Sequence, residues 1–447
     1  VLHVETIQGA RKPRKLELAI EAVMWGIPLV GAGALREAAI RDAGAREGDI
    51  VYLSAPADSL FRAPTPNASA LYAYFDADTR AGPLVLDMPP AVGAGLFGSI
   101  LDAWQVPAVD LGPAGEDAGR GGKYLLLPPG YDGYVPVDYE PVRLRTYTAY
   151  AALRAIREDG SAAGHRRALD LVRQIRVYPL AQAKNPPPSR HIDVSGKIFD
   201  AIVRFDETFF PQLSRLLNQE PLLEIDRAFI ERLREIGIER GRPYSPSSAT
   251  RQLHERAARV AHERLVKHAS TEGARYWMKQ RWRCPSVIGC RTGFTFVVNG
   301  KLDVESRALF SFISYAPPKR CGRATFYLMT FADGDGQRLD GSSTYRLLVP
   351  PGVPASQFWA ATVYDAETFA FIEESPRVAL SSYDQALRKN TDGSVELYFC
   401  PAASADPNWV PTAPGKPWFT IFRFYGPKEP LFDRSWQLPD IERVHVS

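Results

Sequence analysis

Short apolar runs, each closed by proline, glycine or aspartate, fill two separated stretches of the chain, and they restrict the fold more than any other feature. In the first stretch they are Val51-Tyr52-Leu53, Leu71–Phe75, Leu84–Met88 and Tyr124–Leu127. In the second they are Thr292–Val298, Ala308–Ser314, Thr325–Phe331, Tyr345–Val349, Trp359–Tyr364, Val395–Phe399 and Phe419–Phe424. Runs of this length bounded by turn residues read as strands. Proline (37) and glycine (34) are frequent enough among 447 residues to supply a turn after each one.

Between and before these stretches the periodicity is helical. Leu16, Ala19, Ile20, Val23 and Met24 recur at helical spacing, Trp25-Gly26-Ile27-Pro28 interrupts them, and a second helix is expected from Ala34 to Ala43. Ala149–Glu158, His165–Ile175, Asp206–Asn218, Asp226–Ile236 and Ser247–Thr271 carry the same spacing. The expected organisation is N-terminal helices (1–48), a β-sandwich (49–150), a helical section (151–283) and a second β-sandwich (284–447). The fold class is mainly β with a helical insert, α+β.

The two β stretches echo each other. Tyr124-Leu-Leu-Leu-Pro-Pro-Gly130 resembles Tyr345-Arg-Leu-Leu-Val-Pro-Pro-Gly352, and Pro89 and Pro350 are each followed eight residues later by Phe97 and Phe358. A diproline has no N–H to extend a ladder, so each echo marks a strand end. Duplication of a sandwich unit and simple recurrence of proline at strand ends both account for it.

Composition excludes several classes. The net charge is only +3, from 54 basic and 51 acidic residues, which does not suit nucleic acid as a main partner. No uninterrupted apolar run reaches the ~18 residues that span a bilayer. The chain begins at Val1: a removed leader would place it outside the cytoplasm, a shortened chain inside. Cys284, Cys290, Cys321 and Cys400 form no CxxC pair, so a zinc ribbon is not expected. Buried free thiols are the expectation, with a Cys284–Cys290 bridge as the alternative. The seven histidines show no ligand spacing in a strand; His254 and His262, with Glu255 and Glu263, are expected on a solvated helix face. No metal and no cofactor are predicted.

Together, a set of ordered motifs resembles a bacterial family that joins domain of unknown function 1254 to domain of unknown function 1214. It rests on Thr65-Pro66-Asn67, Gly82–Pro90, Asp102-Ala-Trp-Gln105 and Gly121–Tyr131 in the first part. Tyr178–Gln182 and Ile236–Gly241 carry it through the middle. Leu339-Asp-Gly341, Thr344-Tyr-Arg346, Trp359–Asp365, Asn390–Ser394, Asn408-Trp409 and Arg423–Pro427 complete it. The resemblance implies tandem jelly-roll-like antiparallel sandwiches with a helical insert, self-associating into a homo-oligomer, and it implies no settled chemistry. Relatives usually carry an acidic residue and Thr after Thr-Pro-Asn, and this chain has Ala68, Ser69 and Ala70. Where relatives often carry Tyr, it has Phe310.

No GxSxG elbow is present, so carboxylates are the candidate catalysts. Asp102 stands beside Trp104 and Gln105, and Asp365 follows Trp359–Tyr364 in the comparable place of the second sandwich. Two carboxylates against aromatic walls, about 5–9 Å apart, suit general acid–base hydrolysis. The bland reading makes both of them turn residues that cap strand ends. Substrate-binding candidates are Asn67 on a rigid proline loop, Tyr72, Trp104, Lys123 after a glycine run, Arg154, Tyr364 and Trp409. The expectation is a hydrolase acting on a small-molecule or saccharide-like substrate in a cleft between the sandwiches and the helices. The alternative is a non-catalytic ligand-binding or cell-envelope assembly protein.

Overall fold

A computed structural model describes residues 14–91, 94–157, 159, 161–271, 273–284, 287–321 and 325–444. It is a mixed α+β fold with mostly antiparallel sheets. Eight strands build a first sandwich: β1 (Leu71–Asp78), β2 (Leu84–Met88), β3 (Ala94–Asp102), β4 (Pro107–Leu111), β5 (Gly122–Leu127), β6 (Glu140–Arg143), β7 (Thr148–Arg157) and β8 (Arg176–Pro179). Eight build a second: β9 (Thr325–Thr330), β10 (Tyr345–Val349), β11 (Trp359–Asp365), β12 (Ala379–Ser381), β13 (Val395–Cys400), β14 (Trp409–Pro411), β15 (Trp418–Tyr425) and β16 (Glu442–Arg443).

The two sandwiches share one topology, strand for strand. The first has sheets ordered β1-β7-β3-β4 and β8-β2-β5-β6, and the second β9-β15-β11-β12 and β16-β10-β13-β14. Two short strands, Ile50–Tyr52 and His191–Asp193, extend the first sheet beyond β1. Among β1–β16 every pair is antiparallel except β5 with β6 and its counterpart β13 with β14, which are parallel; the two added strands also pair in parallel with each other. The sequence echo falls on β5 and β10, which both lie in outer sheets.

Each sandwich closes over its own core. Leu71, Ala73, Phe75 and Ala77 on β1 and Ala149, Ala151, Leu153 and Ala155 on β7 pack toward Leu84, Leu86, Tyr124 and Leu126 of the outer sheet. In the second, Phe422 and Phe424 on β15 and Ala361 and Val363 on β11 meet Tyr345, Leu347, Leu397 and Phe399. Alternation along a strand therefore sends the remaining residues of β1, β7, β9, β11 and β15 out of both cores. Those faces meet: Ala70 and Ile156 from one side pack with Phe358, Ala360 and Tyr425 from the other.

Helices α1 (Arg14–Ala43), α3 (Phe209–Gln219), α4 (Ser248–Thr271) and α5 (Val304–Ile313) flank this junction, while α2 (Ala162–Gln174) packs on the first sandwich. α1 is a single helix that runs through Pro28, where a break between two helices is expected; residues 1–13 lie outside the described ones. Its length and apolar composition would also suit a membrane span, but in the fold it is buried over most of its surface. A helix that is apolar all round is a core helix when protein surrounds it. Neighbours also occupy the carbonyls around the proline: Arg307 Nη2 donates to the Trp25 carbonyl at 2.8 Å and Gln105 Nε2 to that of Pro28 at 2.8 Å. Gly31 allows the approach, because a Cβ there would stand 2.8 Å from Gln105 Nε2 and 2.9 Å from the Tyr315 ring.

Several local expectations are corrected. Residues 149–157 lie in the central strand β7 rather than in the helix expected over 149–158, and residue 158 lies outside the described ones; their alanines favour a helix locally, and pairing on both edges overrides that. Residues 308–313 belong to helix α5, with Ser314 as its extended C-cap, and the N-cap Asp303 accepts from the Ser306 N–H at 3.0 Å. Residues 292–298 hold the end of a short helix and a two-residue strand. Cys290 and Cys321 form a disulfide, with Cα atoms 5.4 Å apart, where free thiols or a Cys284–Cys290 bridge is expected. Cys284 and Cys400 are not bridged. His254 is buried, not solvated: its ring stacks on Phe210 at 4.0 Å, while His262 stacks on Phe205 at 4.7 Å.

Candidate functional site

The junction between the sandwiches gathers two arginines and several tyrosines. On β7, Arg154 lies directly across the ladder from Tyr72 of β1 and holds its guanidinium carbon 5.6 Å from that ring centre. On β15, Arg423 lies directly across from Tyr327 of β9, at 5.1 Å, and 5.6 Å from the ring of Tyr364. The register makes the two arginines equivalent. Arg154 stands five residues beyond Ala149, the partner of Asp102, and Arg423 stands five beyond Trp418, the partner of Asp365.

Loop 63–70 is threaded between the two sheets. The Thr65 N–H donates to the Phe369 carbonyl at 2.7 Å, and its hydroxyl to the Ile313 carbonyl at 2.6 Å. The Thr65 carbonyl accepts from Arg423 Nη2 at 3.1 Å, and the Pro66 carbonyl from the Tyr364 hydroxyl at 2.5 Å. Asn67 donates its backbone N–H to the Tyr72 hydroxyl at 3.1 Å and its amide to that of Tyr425. Arg423 completes its set through Nη1 to Thr362 Oγ1 at 2.9 Å.

Beside the loop lies a cavity of about 80 Å³, walled by Phe61, Tyr72, Tyr74, Phe199 and Tyr315, with Thr65 and Arg154 at its edge. Phe61 is stacked between Phe199 at 5.2 Å and Tyr72 at 6.0 Å. Arg154 is the one charged residue on the wall among the described residues, and no carboxylate pairs with it there. Its Nε is buried without a hydrogen-bond partner, as is that of Arg423. The positive field reaches Tyr327: burial pushes that phenol up, but Arg154 and Arg423 outweigh it and draw it below its ordinary value. Burial raises Tyr425 well above its own, and the neighbouring Tyr327 adds to the rise.

Of the residues singled out from sequence, Asn67, Tyr72, Arg154 and Tyr364 meet in this cluster. The others do not. Asp102 caps its own turn, accepting from the N–H groups of Trp104 at 2.9 Å and Val106 at 3.0 Å, and pairs with Arg145 at 2.5 Å. Asp365 does the same for Glu367 at 2.7 Å and Thr368 at 3.0 Å. Trp104 is a core residue against Trp25, ring centres 4.8 Å apart. Lys123 lies on the outer sheet over Tyr139, and Trp409 donates to the Cys400 carbonyl at that sheet's counterpart. Thr65, Tyr327, Arg423 and Tyr425 went unassigned in the sequence. Arg423 had a signal: it is a cation inside the apolar run Trp418–Tyr425, every position of which is buried.

A larger groove of about 820 Å³ runs between α4 and the second sandwich. It is open to solvent and carries both signs of charge, Lys267, Arg281, Arg283 and Arg338 with Glu263 and Glu367, so it has no comparable unpaired group in an apolar wall. Among the described residues no group of three or more His, Cys, Asp or Glu side chains is placed to hold a metal ion.

Fold and junction define a tandem β-sandwich protein with an arginine–tyrosine chamber between its repeats. The profile described as "Protein of unknown function (DUF1254)" matches residues 49–179 and "Protein of unknown function (DUF1214)" matches residues 324–429. The chain belongs to the family that pairs these two domains in this order. It is similar in fold to the VPA0106 protein of Vibrio parahaemolyticus, with 19% identity, 96% of this chain and 100% of that chain covered, and a TM-score of 0.56. An uncharacterised protein from Burkholderia cenocepacia aligns with 12% identity over 96% of this chain and 93% of that one, at a TM-score of 0.42. No curated protein matches.

Proposed function

We propose that the protein binds a small organic anion with an apolar body, an aromatic or branched carboxylate, in the cavity between the sandwiches, with Arg154 holding the charge. One observation carries this reading: a guanidinium without a carboxylate partner faces an aromatic-walled cavity. A charge withdrawn from water costs several kcal/mol unless it is paired. An incoming carboxylate pairs it, and guanidinium geometry suits a planar, bidentate acceptor. Phe61, Tyr72, Phe199 and Tyr315 give the cavity an aromatic wall for the apolar remainder. The space as it stands admits about two or three waters, and a ring of benzoate size enters as the wall yields.

Ligand binding stands ahead of hydrolysis because the carboxylates that hydrolysis would draw on, Asp102 and Asp365, are engaged in their own turns. Turnover of nitrophenyl esters or glycosides that depends on Asp102 would restore the hydrolytic alternative.

Thermal-shift measurements with benzoate and its neutral analogue benzamide test the proposal. Benzoate is expected to raise the melting temperature of the wild type, benzamide to leave it unchanged, and Arg154→Met to remove the benzoate effect. An equal response to both compounds, or a full benzoate response in Arg154→Met, overturns it.

A further inference from the structure

We infer that Arg423 is a second anion subsite, continuous with the Arg154 cavity and plugged by the Thr65-Pro66-Asn67 segment, so that the full ligand is a dianion whose second carboxylate takes the place of the Thr65 carbonyl. The inference rests on the proposed anion binding at Arg154 and names its ligand class.

Three observations carry it. First, the register makes Arg423 the repeat-equivalent of Arg154, with Tyr327 in the place of Tyr72. A duplicated sandwich brings a duplicated arginine–tyrosine pair to the junction, one from each side.

Second, Arg423 is only 2% exposed, yet its acceptors are neutral: the Thr65 carbonyl at 3.1 Å and the Thr362 hydroxyl at 2.9 Å, with Nε unpartnered. No ion pair involves Arg423 among the described residues, whereas Arg145, Arg190 and Arg204 each reach a carboxylate at 2.5 Å. Hydrogen bonds to an ionised acceptor are roughly twice as strong as those to a neutral one. A carboxylate therefore displaces a carbonyl from this position with a gain.

Third, Thr65 is the partition between the two guanidiniums. It borders the Arg154 cavity while its carbonyl meets Arg423. Its φ of 40° is a left-handed value that a β-branched residue rarely adopts. The strain is offset by the bonds to Phe369, Ile313, Tyr364 and Tyr425, and strained backbone of this kind is concentrated at clamps and switches. Releasing the segment relieves Thr65 and joins the two subsites.

Calorimetric titration of the full chain with benzoate and isophthalate tests this, read as the ratio of the two affinities. Isophthalate is expected to bind about tenfold tighter in the wild type, as one added charge-assisted contact provides. Thr65→Asn, which tolerates the positive φ and keeps a side-chain donor toward the Ile313 carbonyl, steadies the plug and is expected to lower the ratio. Asn67→Ala, which loses the Tyr425 tether, is expected to raise it. Arg423→Met is expected to bring it to about one. A wild-type ratio near one, a ratio that survives in Arg423→Met, or shifts of the same sign in Thr65→Asn and Asn67→Ala overturn the inference. Should Arg423→Met fail to fold, the opposed shifts of the two loop variants decide. Arg154-dependent benzoate binding without an isophthalate advantage sinks this inference alone, and no binding of either compound sinks both readings.

Discussion

Arg154 and Arg423 hold equivalent ladder positions in two sandwiches of identical topology, each with a tyrosine ring directly across from it, Tyr72 at 5.6 Å and Tyr327 at 5.1 Å. The pairs project from facing sheets into one junction, with loop 63–70 between them. An aliphatic side chain at either position would be the cheaper core residue, because a buried guanidinium is costly unless it is paired.

Asp102→Asn separates the turn role from a catalytic one. The carboxylate serves two backbone N–H groups and Arg145, whose side chain is 44% exposed, so losing the charge is expected to cost about 2 kcal/mol. Urea unfolding measures the loss. Benzoate affinity is expected to match the wild type at temperatures where both are folded; a stable variant that has lost binding would contradict the turn role.

Asp76 is pushed up to about 6 by burial, with Arg36 opposing the rise. A raised carboxyl pKa means that the folded chain holds the proton more tightly, so this contribution is present at acid pH and is lost as pH rises through about 6. Asp76→Asn is expected to be about 2 kcal/mol more stable than the wild type at pH 7.5, a difference that vanishes near pH 4. Paired urea curves at the two pH values check it.

His254 carries the opposite sign. Burial pushes it down to about 4, and its ring is neutral between the Ile236 carbonyl at 2.9 Å and the Tyr244 hydroxyl at 2.8 Å. The folded chain resists protonation, so stability present above the ordinary histidine range is lost as pH falls toward 4. Relative to the wild type, His254→Gln is expected to flatten the stability profile between pH 6.5 and 4. An unchanged slope in that window would contradict it.

The Cys290–Cys321 disulfide closes a segment with sequence separation 31. Its loss is expected to cost about 3–4 kcal/mol by the chain-entropy estimate. It anchors the residues that reach the first sandwich, where the N–H groups of Lys319 and Arg320 donate to Asp110 at 2.7 and 3.0 Å. Reduced wild type and Cys290→Ser are expected to melt at the same lowered temperature; a Cys290→Ser protein as stable as the oxidised chain would show that the bridge does not matter.

How far the fold could be read from the residues depended on locality. Tyr345–Val349 alternates in burial and stops at Pro350-Pro351, whereas Trp359–Asp365 is a run of strand length buried at every position, and both are strands. Ala149–Arg157 carries alanines that favour a helix locally, and only pairing with β1 and β3 makes it a strand. Pro28 reads as a break, yet burial on all sides keeps α1 whole. Arg154 was conspicuous as a cation awaiting a carboxylate, and the structure gives it Tyr72 instead. Its equivalence to Arg423 depends on register across 268 intervening positions, which no local pattern encodes.

The most direct measurement is anomalous diffraction from crystals soaked in 4-bromobenzoate. The result expected is a bromine peak within the cavity lined by Phe61, Tyr72, Tyr74 and Tyr315, with the carboxylate on Arg154, and no such peak in Arg154→Met crystals. A wild-type cavity without bromine, in crystals that bind the compound elsewhere, would contradict an anion site at the junction of the two sandwiches.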